Sequence, residues 1–300
     1  MRTKIYTLVR FMYSLGAYLT RPLLTKRFRL RMQTFTVPLL YKLAPKTDGA
    51  FEIHGHKMFL KSGEKLPPVN MSMDTFEEAT TQLFERLIKP GMTVIDVGAH
   101  VGYYTMIAAR AAGPDGKVFA FEPDESNYSV LVKNIEMNGY ENVTAMNQGV
   151  SNFVGSSTLV LNPWHSGIHH LEYGNEIRSN GVVVATTSID ALLEANGSPK
   201  VDFVKIDVEG SEDRVLDGMQ RLLKQPGKLN VILEFHPPLL VRSEVDPREF
   251  LGRLIASNCE IRVVDGDNSL IHDIQSELDE FVEKVWENGV NLLCTFDNPA

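Results

Sequence analysis

From residue 91 onward the chain alternates short apolar runs with longer amphipathic ones. The runs 94–97, 118–121, 143–146, 201–208, 229–235, 261–264 and 290–296 are rich in Val, Ile, Leu and Phe and have the length of buried strands. Between them, 103–112, 126–137, 211–223 and 247–256 read as helices. Such alternation predicts an α/β fold, a mainly parallel sheet with helices on both faces. The pattern loosens over 151–187 into polar, glycine-containing sequence, which predicts an insertion or hairpin over one edge of the site. Upstream, 51–60 alternates as a small hairpin turning near Gly55, which would leave His54 and His56 at the surface. Asp74 and Glu77 stand at capping-box spacing. Phe76, Ala79, Leu83 and Leu87 then continue a helix towards Pro90. The chain thus divides into an arm over 1–46, a joining hairpin and helix over 47–90, and an α/β domain over 91–300.

Charge changes the picture of the arm. It carries ten basic residues and no acidic one, so the remainder holds a formal −18 within a net −8. Its apolar run, 11–19, is about half of what a membrane-spanning helix needs. No small-residue cleavage site follows, and 21–31 stays basic, unlike a secretory leader. A basic amphipathic segment suits an anionic membrane surface, which would make the protein cytoplasmic and peripheral on the inner face of a membrane. Packing of the arm on its own domain or on a second subunit is the alternative. Across 300 residues, 43% hydrophobic and 23% charged residues predict a packed core rather than disorder. Cys259 and Cys294 belong to no metal-ligand spacing, which argues against a zinc site or a disulfide framework; a single pairing of the two stays open. Nothing resembles a nucleophile elbow, a P-loop or a nucleic-acid surface of interleaved basic and aromatic residues.

The strongest chemical signal is the run VIDVGAHVGYYT from Val94 to Thr105. A strand ends near Asp96, and a loop with Gly98 and Gly102 enters a helix. The spacing D-x-G-x-x-x-G is not the G-x-G-x-x-G that seats a pyrophosphate on a helix N-terminus. A carboxylate beside the loop would repel a pyrophosphate and would suit an ammonium and a sulfonium. Twenty positions after Gly102, the next strand ends in Glu122-Pro123, where a carboxylate can accept from both hydroxyls of a ribose. The two motifs together predict a nucleoside cofactor at the carboxyl ends of the strands.

The segments IDVGAHVGYYT, VFAFEPDESNYSVLVKNIEMN, VDFVKIDVEGSEDRVLDGM and VILEFHP together resemble the FkbM-type methyltransferase family, over about 92–238. The resemblance implies a Rossmann-like seven-stranded sheet with an antiparallel last strand, S-adenosylmethionine as donor, and O-methylation of sugars or natural products. It makes Asp96, Gly98 and Gly102 the methionine-side loop, Glu122 the ribose ligand and Gln148 the residue near the adenine. The family commonly has Asn where this chain has His100, within the same cofactor loop. The basic arm lies outside the resemblance.

Methyl transfer to an alcohol needs an oxygen held in line with the methyl group and a base to take its proton. Two strand ends supply candidates. Strand alternation puts Lys205, Asp207 and Glu209 on one side of the first, and matches Glu234 with His236 at the end of the second. In one reading His236 or a carboxylate is the general base, with Lys205 holding Asp207 or stabilising a developing alkoxide. In the other, Asp207, Glu209, Glu234 and His236 gather Mg²⁺ to lower the pKa of the acceptor hydroxyl. Trp164, His165, Ser166, Gly167, His169 and His170 are weaker candidates for a lid or acceptor platform; His272 has no visible context. The acceptor would be a sugar, a glycan, a lipid-linked intermediate or a natural product, with no role for nucleic acid. A nicotinamide-dependent oxidoreductase would use the same sheet with a different glycine spacing. A non-catalytic cofactor-binding scaffold would not need the charged strand ends.

Overall fold

A computed structural model describes residues 48–61, 77–162, 166–172, 181–257, 259–264 and 278–299. The arm, the Asp74 cap, Trp164, His165 and His272 lie outside the described residues. The chain divides into two compact units, Met1–Glu78 and Ala79–Ala300.

In the first unit, β1 (Gly49–Ile53) and β2 (His56–Leu60) form an antiparallel hairpin in which Ile53 faces His56. The turn residues His54 and Gly55 have φ of 50° and 77°, the left-handed pair that a tight two-residue connection requires. His56 is buried, contrary to its expected place at the surface. The hairpin's period of two sets it on the same face as buried Met58 and Leu60.

The second unit begins with α1 (Glu78–Leu87) and β3 (Thr93–Val97). α2 (Tyr103–Ala112), β4 (Lys117–Phe121), α3 (Glu125–Asn138) and β5 (Val143–Met146) follow. After an inserted segment come α4 (Ile189–Ala195), β10 (Phe203–Ile206), α5 (Glu212–Asp217), β11 (Gly227–Phe235), α6 (Pro237–Arg242) and α7 (Pro247–Ala256). β12 (Glu260–Val263), α8 (Leu278–Val285) and β13 (Val290–Asn298) close the chain. The sheet order is β12-β13-β11-β10-β3-β4-β5, parallel throughout except for β13, which runs antiparallel to both β11 and β12. This is the seven-stranded Rossmann-like sheet with an antiparallel last strand. The order reverses between β3 and β10, and a crevice opens there at the strands' carboxyl ends.

The central strands are apolar on both faces because both are covered: Ile95, Val204, Val231 and Leu233 are fully buried. On one side Phe84 of α1 meets Tyr104 and Phe203 edge-on, with ring centroids 5.0 and 4.9 Å apart. The loosened segment is a second sheet of order β6-β9-β7-β8, made of β6 (Gly149–Val150), β7 (Gly155–Val160), β8 (His170–Glu172) and β9 (Gly181–Thr187). A 3₁₀ turn over Ser166–Ile168 precedes β8.

The helix expected over 211–223 is shorter. It stops at Gly218, where a Cβ would lie 2.1 Å from the carbonyl oxygen of Ser151, and the chain resumes as a 3₁₀ turn at Leu222–Lys224. α4, α6 and α8 were not expected. α4 is capped by Ser188, whose Oγ accepts from Ala191 N at 3.2 Å, and α6 starts with proline in its first turn, where a missing N–H costs nothing. Cys259 and Cys294 are both free thiols.

Candidate active site

The crevice at the β3–β10 switch point is an open cleft of about 510 Å³. Gly98, His100, Glu122 and Gln148 line one side. Asp207 and Glu209 line another, and Ser166, His169 and His170 of the second sheet stand among the remaining wall residues.

Gly98 has φ +83°, and a Cβ there would lie 1.8 Å from the Asp207 carbonyl oxygen. The cofactor loop and the loop after β10 therefore touch through backbone alone. His100 is also left-handed, at φ 51°, a conformation that Asn and His tolerate better than most residues. This places its backbone N–H on Glu122 Oε2 at 2.8 Å. Glu122 Oε1 accepts from Asp124 N at 2.9 Å and from Asn127 Nδ2 at 3.4 Å. Burial pushes the Glu122 carboxyl up to about 7, against the pull of these hydrogen bonds. Asn147, beside Gln148, donates to the Glu122 and Pro123 carbonyls at 3.0 and 3.1 Å and fixes the turn that carries Gln148.

Two residues of the predicted cofactor loop sit elsewhere. Asp96 does not line the cleft. It is 1% exposed, and its Oδ2 accepts from Thr105 Oγ1 of α2 at 2.6 Å, because it lies inside β3 and faces the helix layer. Burial raises its carboxyl above the ordinary value, and Lys205, its register partner on β10, works against that rise. Gly102 likewise stays off the cleft; a Cβ there would lie 2.7 Å from Leu131 Cδ1, so it allows α2 to approach α3.

The charged strand ends are brought together in part. Asp207, Glu209 and Glu234 can place carboxylate oxygens within 4.8 Å of one another. Lys205, only 2% exposed, donates to Asp207 Oδ2 at 2.7 Å, with its ammonium 4.5 Å from the centroid of the Tyr104 ring. Burial, then the charges of Asp207 and Glu212, push the Glu209 carboxyl up to about 8. Glu209 itself is left-handed, at φ 57°, and is followed by Gly210 at φ 104°.

His236 does not join this group and does not line the cleft, a correction to the expected cluster of three carboxylates, an imidazole and an ammonium. β11 ends at Phe235, and His236 begins the turn into α6. Its ring lies against the backbone at Gly289, where a Cβ would come within 2.8 Å of His236 Cδ2. Burial lowers its pKa. Lys205 and Glu234 also lie off the cleft wall, behind Asp207 and Glu209.

Sequence reasoning overlooked Glu212. It is buried, accepts from Val208 N and Gly210 N at 3.2 Å each, and so holds the loop that presents Asp207 and Glu209. Its signal was an acidic residue two positions after the glycine that ends the strand loop. Burial pushes its carboxyl up to about 7.

Residues 96–263 match the model of the Methyltransferase FkbM domain. The chain is similar to "Hexuronic acid methyltransferase AglP" of Haloferax volcanii, 30% identical over 155 residues that cover 51% of this chain and 57% of that protein. It is also similar to "Methyltransferase sdnD" of Sordaria araneosa, 26% identical over 182 residues, covering 51% of this chain and 70% of that protein. Among solved structures it is similar to a SAM dependent methyltransferase from Aquifex aeolicus, with 17% identity, a TM-score of 0.40, and coverage of 73% of this chain and 89% of that one. The family match spans more than half of the sequence, and the chain belongs to the FkbM family of S-adenosylmethionine-dependent methyltransferases.

Proposed function

We propose that the protein methylates a hydroxyl group on a sugar, glycan, lipid-linked intermediate or natural product. The observation that carries this reading is one cleft lined both by Glu122 and by the carboxylates of Asp207 and Glu209. S-adenosylmethionine supplies an electrophilic methyl group when bound. Glu122 would hold the ribose and Gln148 would lie by the adenine. Glu209 is the better placed base, because its raised proton affinity suits removal of an alcohol proton, while Asp207 is engaged by Lys205. The similarity to a hexuronic acid methyltransferase of Haloferax volcanii supports a sugar acceptor.

The donor set fits Mg²⁺ poorly. Hard oxygen ligands are present in Asp207, Glu209 and Glu234, but the Lys205 ammonium already neutralises Asp207, and His236 stands apart. The reading therefore has Lys205 in the place of the metal.

The test is transfer of labelled methyl from S-adenosylmethionine to a panel of hydroxyl, carboxyl and amine acceptors, with and without a chelator. Label on hydroxyl acceptors that survives chelation is the expected result. Label confined to amines or carboxylates would overturn the O-methyl reading, and loss on chelation would restore the metal. Among the described residues no helix is long and apolar enough to cross a membrane. The lipid-linked acceptor and the peripheral location rest on the basic arm alone. Co-flotation of the full chain with anionic vesicles, lost on removal of 1–46, is the expected outcome; flotation unchanged by that removal would discard them.

A further inference from the structure

Two of the groups that hold Glu122 also hold the opposite wall of the cleft. His100 gives its backbone N–H to Glu122 Oε2 at 2.8 Å, while its ring Nε2 shares a hydrogen bond with Ser166 Oγ at 2.7 Å. Asn127 Nδ2 lies 3.4 Å from Glu122 Oε1 and 3.4 Å from the Ser166 carbonyl oxygen. Ser166 opens the 3₁₀ turn that leads into β8, and the same stretch carries His169 and His170 onto the cleft wall. This wall belongs to the second sheet, not to the sheet that carries Glu122. His169 arrives with a set tautomer: its Nδ1 accepts from Asn162 N at 2.9 Å, so in the neutral ring Nε2 carries the proton and is a donor.

We propose that His100 is a positioning residue that couples the ribose carboxylate to the acceptor wall, with Ser166 as its partner, so that the cofactor binds first and sets His169 and His170 for the acceptor. The inference rests on the reading of Glu122 as the ribose ligand. Glu122 engaged by a ribose is held in one rotamer, and the His100 loop bonded to it is stiffened. A stiffened His100 loses less freedom on closing its bond to Ser166, which is positive coupling without a large movement. The left-handed backbone at His100 can be kept by Asn, but the shorter amide would not span the distance that the imidazole bridges to Ser166.

The experiment is hydrogen exchange of the full chain over 166–172, with and without saturating S-adenosylhomocysteine, beside calorimetric titration of the same samples. The variants are His100→Asn, Ser166→Ala and Ser166→Thr. In the parent and in Ser166→Thr, which keeps a hydroxyl, the ligand should slow exchange over 166–172 about tenfold, the scale of one hydrogen bond's net worth. In His100→Asn and Ser166→Ala most of that protection should be lost, leaving only what the longer Asn127 contacts at 3.4 Å carry, while peptides around Glu122 stay protected and the titration still shows binding. A merely structural role would disturb both regions alike. Protection over 166–172 that persists in both variants overturns the coupling, as does a parent that binds the ligand with no protection there. A parent that fails to bind the ligand removes the ribose reading of Glu122, and the coupling falls with it. Ser166→Ala alters only a 3₁₀ turn and keeps the test decisive if His100→Asn perturbs the loop.

Discussion

Gly91 and Gly98 share a φ of +83° and differ in what surrounds them. A Cβ at Gly91 would meet nothing within 4 Å, whereas one at Gly98 would sit 1.8 Å from the Asp207 carbonyl oxygen. Alanine at either position bears the left-handed penalty, about 1–2 kcal/mol. Only at Gly98 must a neighbour also move, by at least about an ångström, to reach ordinary contact. That neighbour is backbone, anchored by the Asp207 N–H to the Val97 carbonyl at 3.0 Å and by the Lys205–Asp207 ion pair at 2.7 Å. Loss of the first bond and strain on the second add about 2–3 kcal/mol. At about 2–4 °C per kcal/mol for a domain of this size, Gly98→Ala should melt about 4–12 °C below Gly91→Ala. Thermal melts of both variants, with titration of S-adenosylhomocysteine, read this out. Gly91→Ala should bind the ligand as the parent does, and Gly98→Ala should not. Equal melting temperatures, or intact binding by Gly98→Ala, would refute the claim that the two loops meet through a space that excludes a methyl group.

Glu122→Gln should weaken S-adenosylmethionine binding by about 10–100-fold, since a charged acceptor to two hydroxyls becomes a neutral one; calorimetry checks it. Glu209→Gln should lower the methyl-transfer rate at saturating donor by about 10²–10⁴-fold, while His236→Ala should lose little rate, and steady-state kinetics separates the two. In the parent kcat/KM should climb with pH towards about 8, where Glu209 of the ligand-free enzyme sheds its proton, and this limb should be missing in Glu209→Gln. The stability of the ligand-free protein runs the other way. Glu122, Glu209 and Glu212 have folded-state values of about 7, 8 and 7, above an ordinary 4.5, so the folded state binds more protons between them. Their contribution is complete below about pH 4.5 and is lost as pH rises through 7 to 8; denaturant titrations should show stability falling across that window, less steeply in Glu209→Gln.

The parallel strands were legible because burial on both faces writes itself as continuous apolar runs, as in Val94–Val97 and Leu229–Phe235. The order of the strands was not legible, since periodicity says nothing about neighbours; the family resemblance implied only their number and the antiparallel last strand. The second sheet was harder to see. β7 and β9 are built largely of Ser, Thr, Ala and Val with much of their surface exposed, so their alternation is weak. α6 was hidden because it is only six residues long and opens on two prolines, which leave little apolar period to read. Within the site, residue types at strand ends found Glu122, Asp207 and Glu209. Sequence did not show that Asp96, one residue before the strand's end, lies off the cleft wall with its Oδ2 accepting from Thr105. His236 was misplaced because alternation does not continue past the last strand residue. Glu212 was missed because its role is to accept backbone N–H groups, a demand set by a loop conformation that sequence does not show.

The burial of Glu209 has a consequence for where the proton of the proposed turnover resides. In an empty cleft at neutral pH this carboxyl holds its proton, given a value of about 8. A cationic donor held in the same cleft would lower that value, because an adjacent cation lowers carboxylate basicity. Glu209 thus becomes competent as the donor arrives. After transfer Glu209 would retain the proton taken from the proposed alcohol acceptor. In the reverse direction that same protonated carboxyl would return the proton to the ether oxygen, so Glu209 sets the path of the proton and leaves the equilibrium untouched.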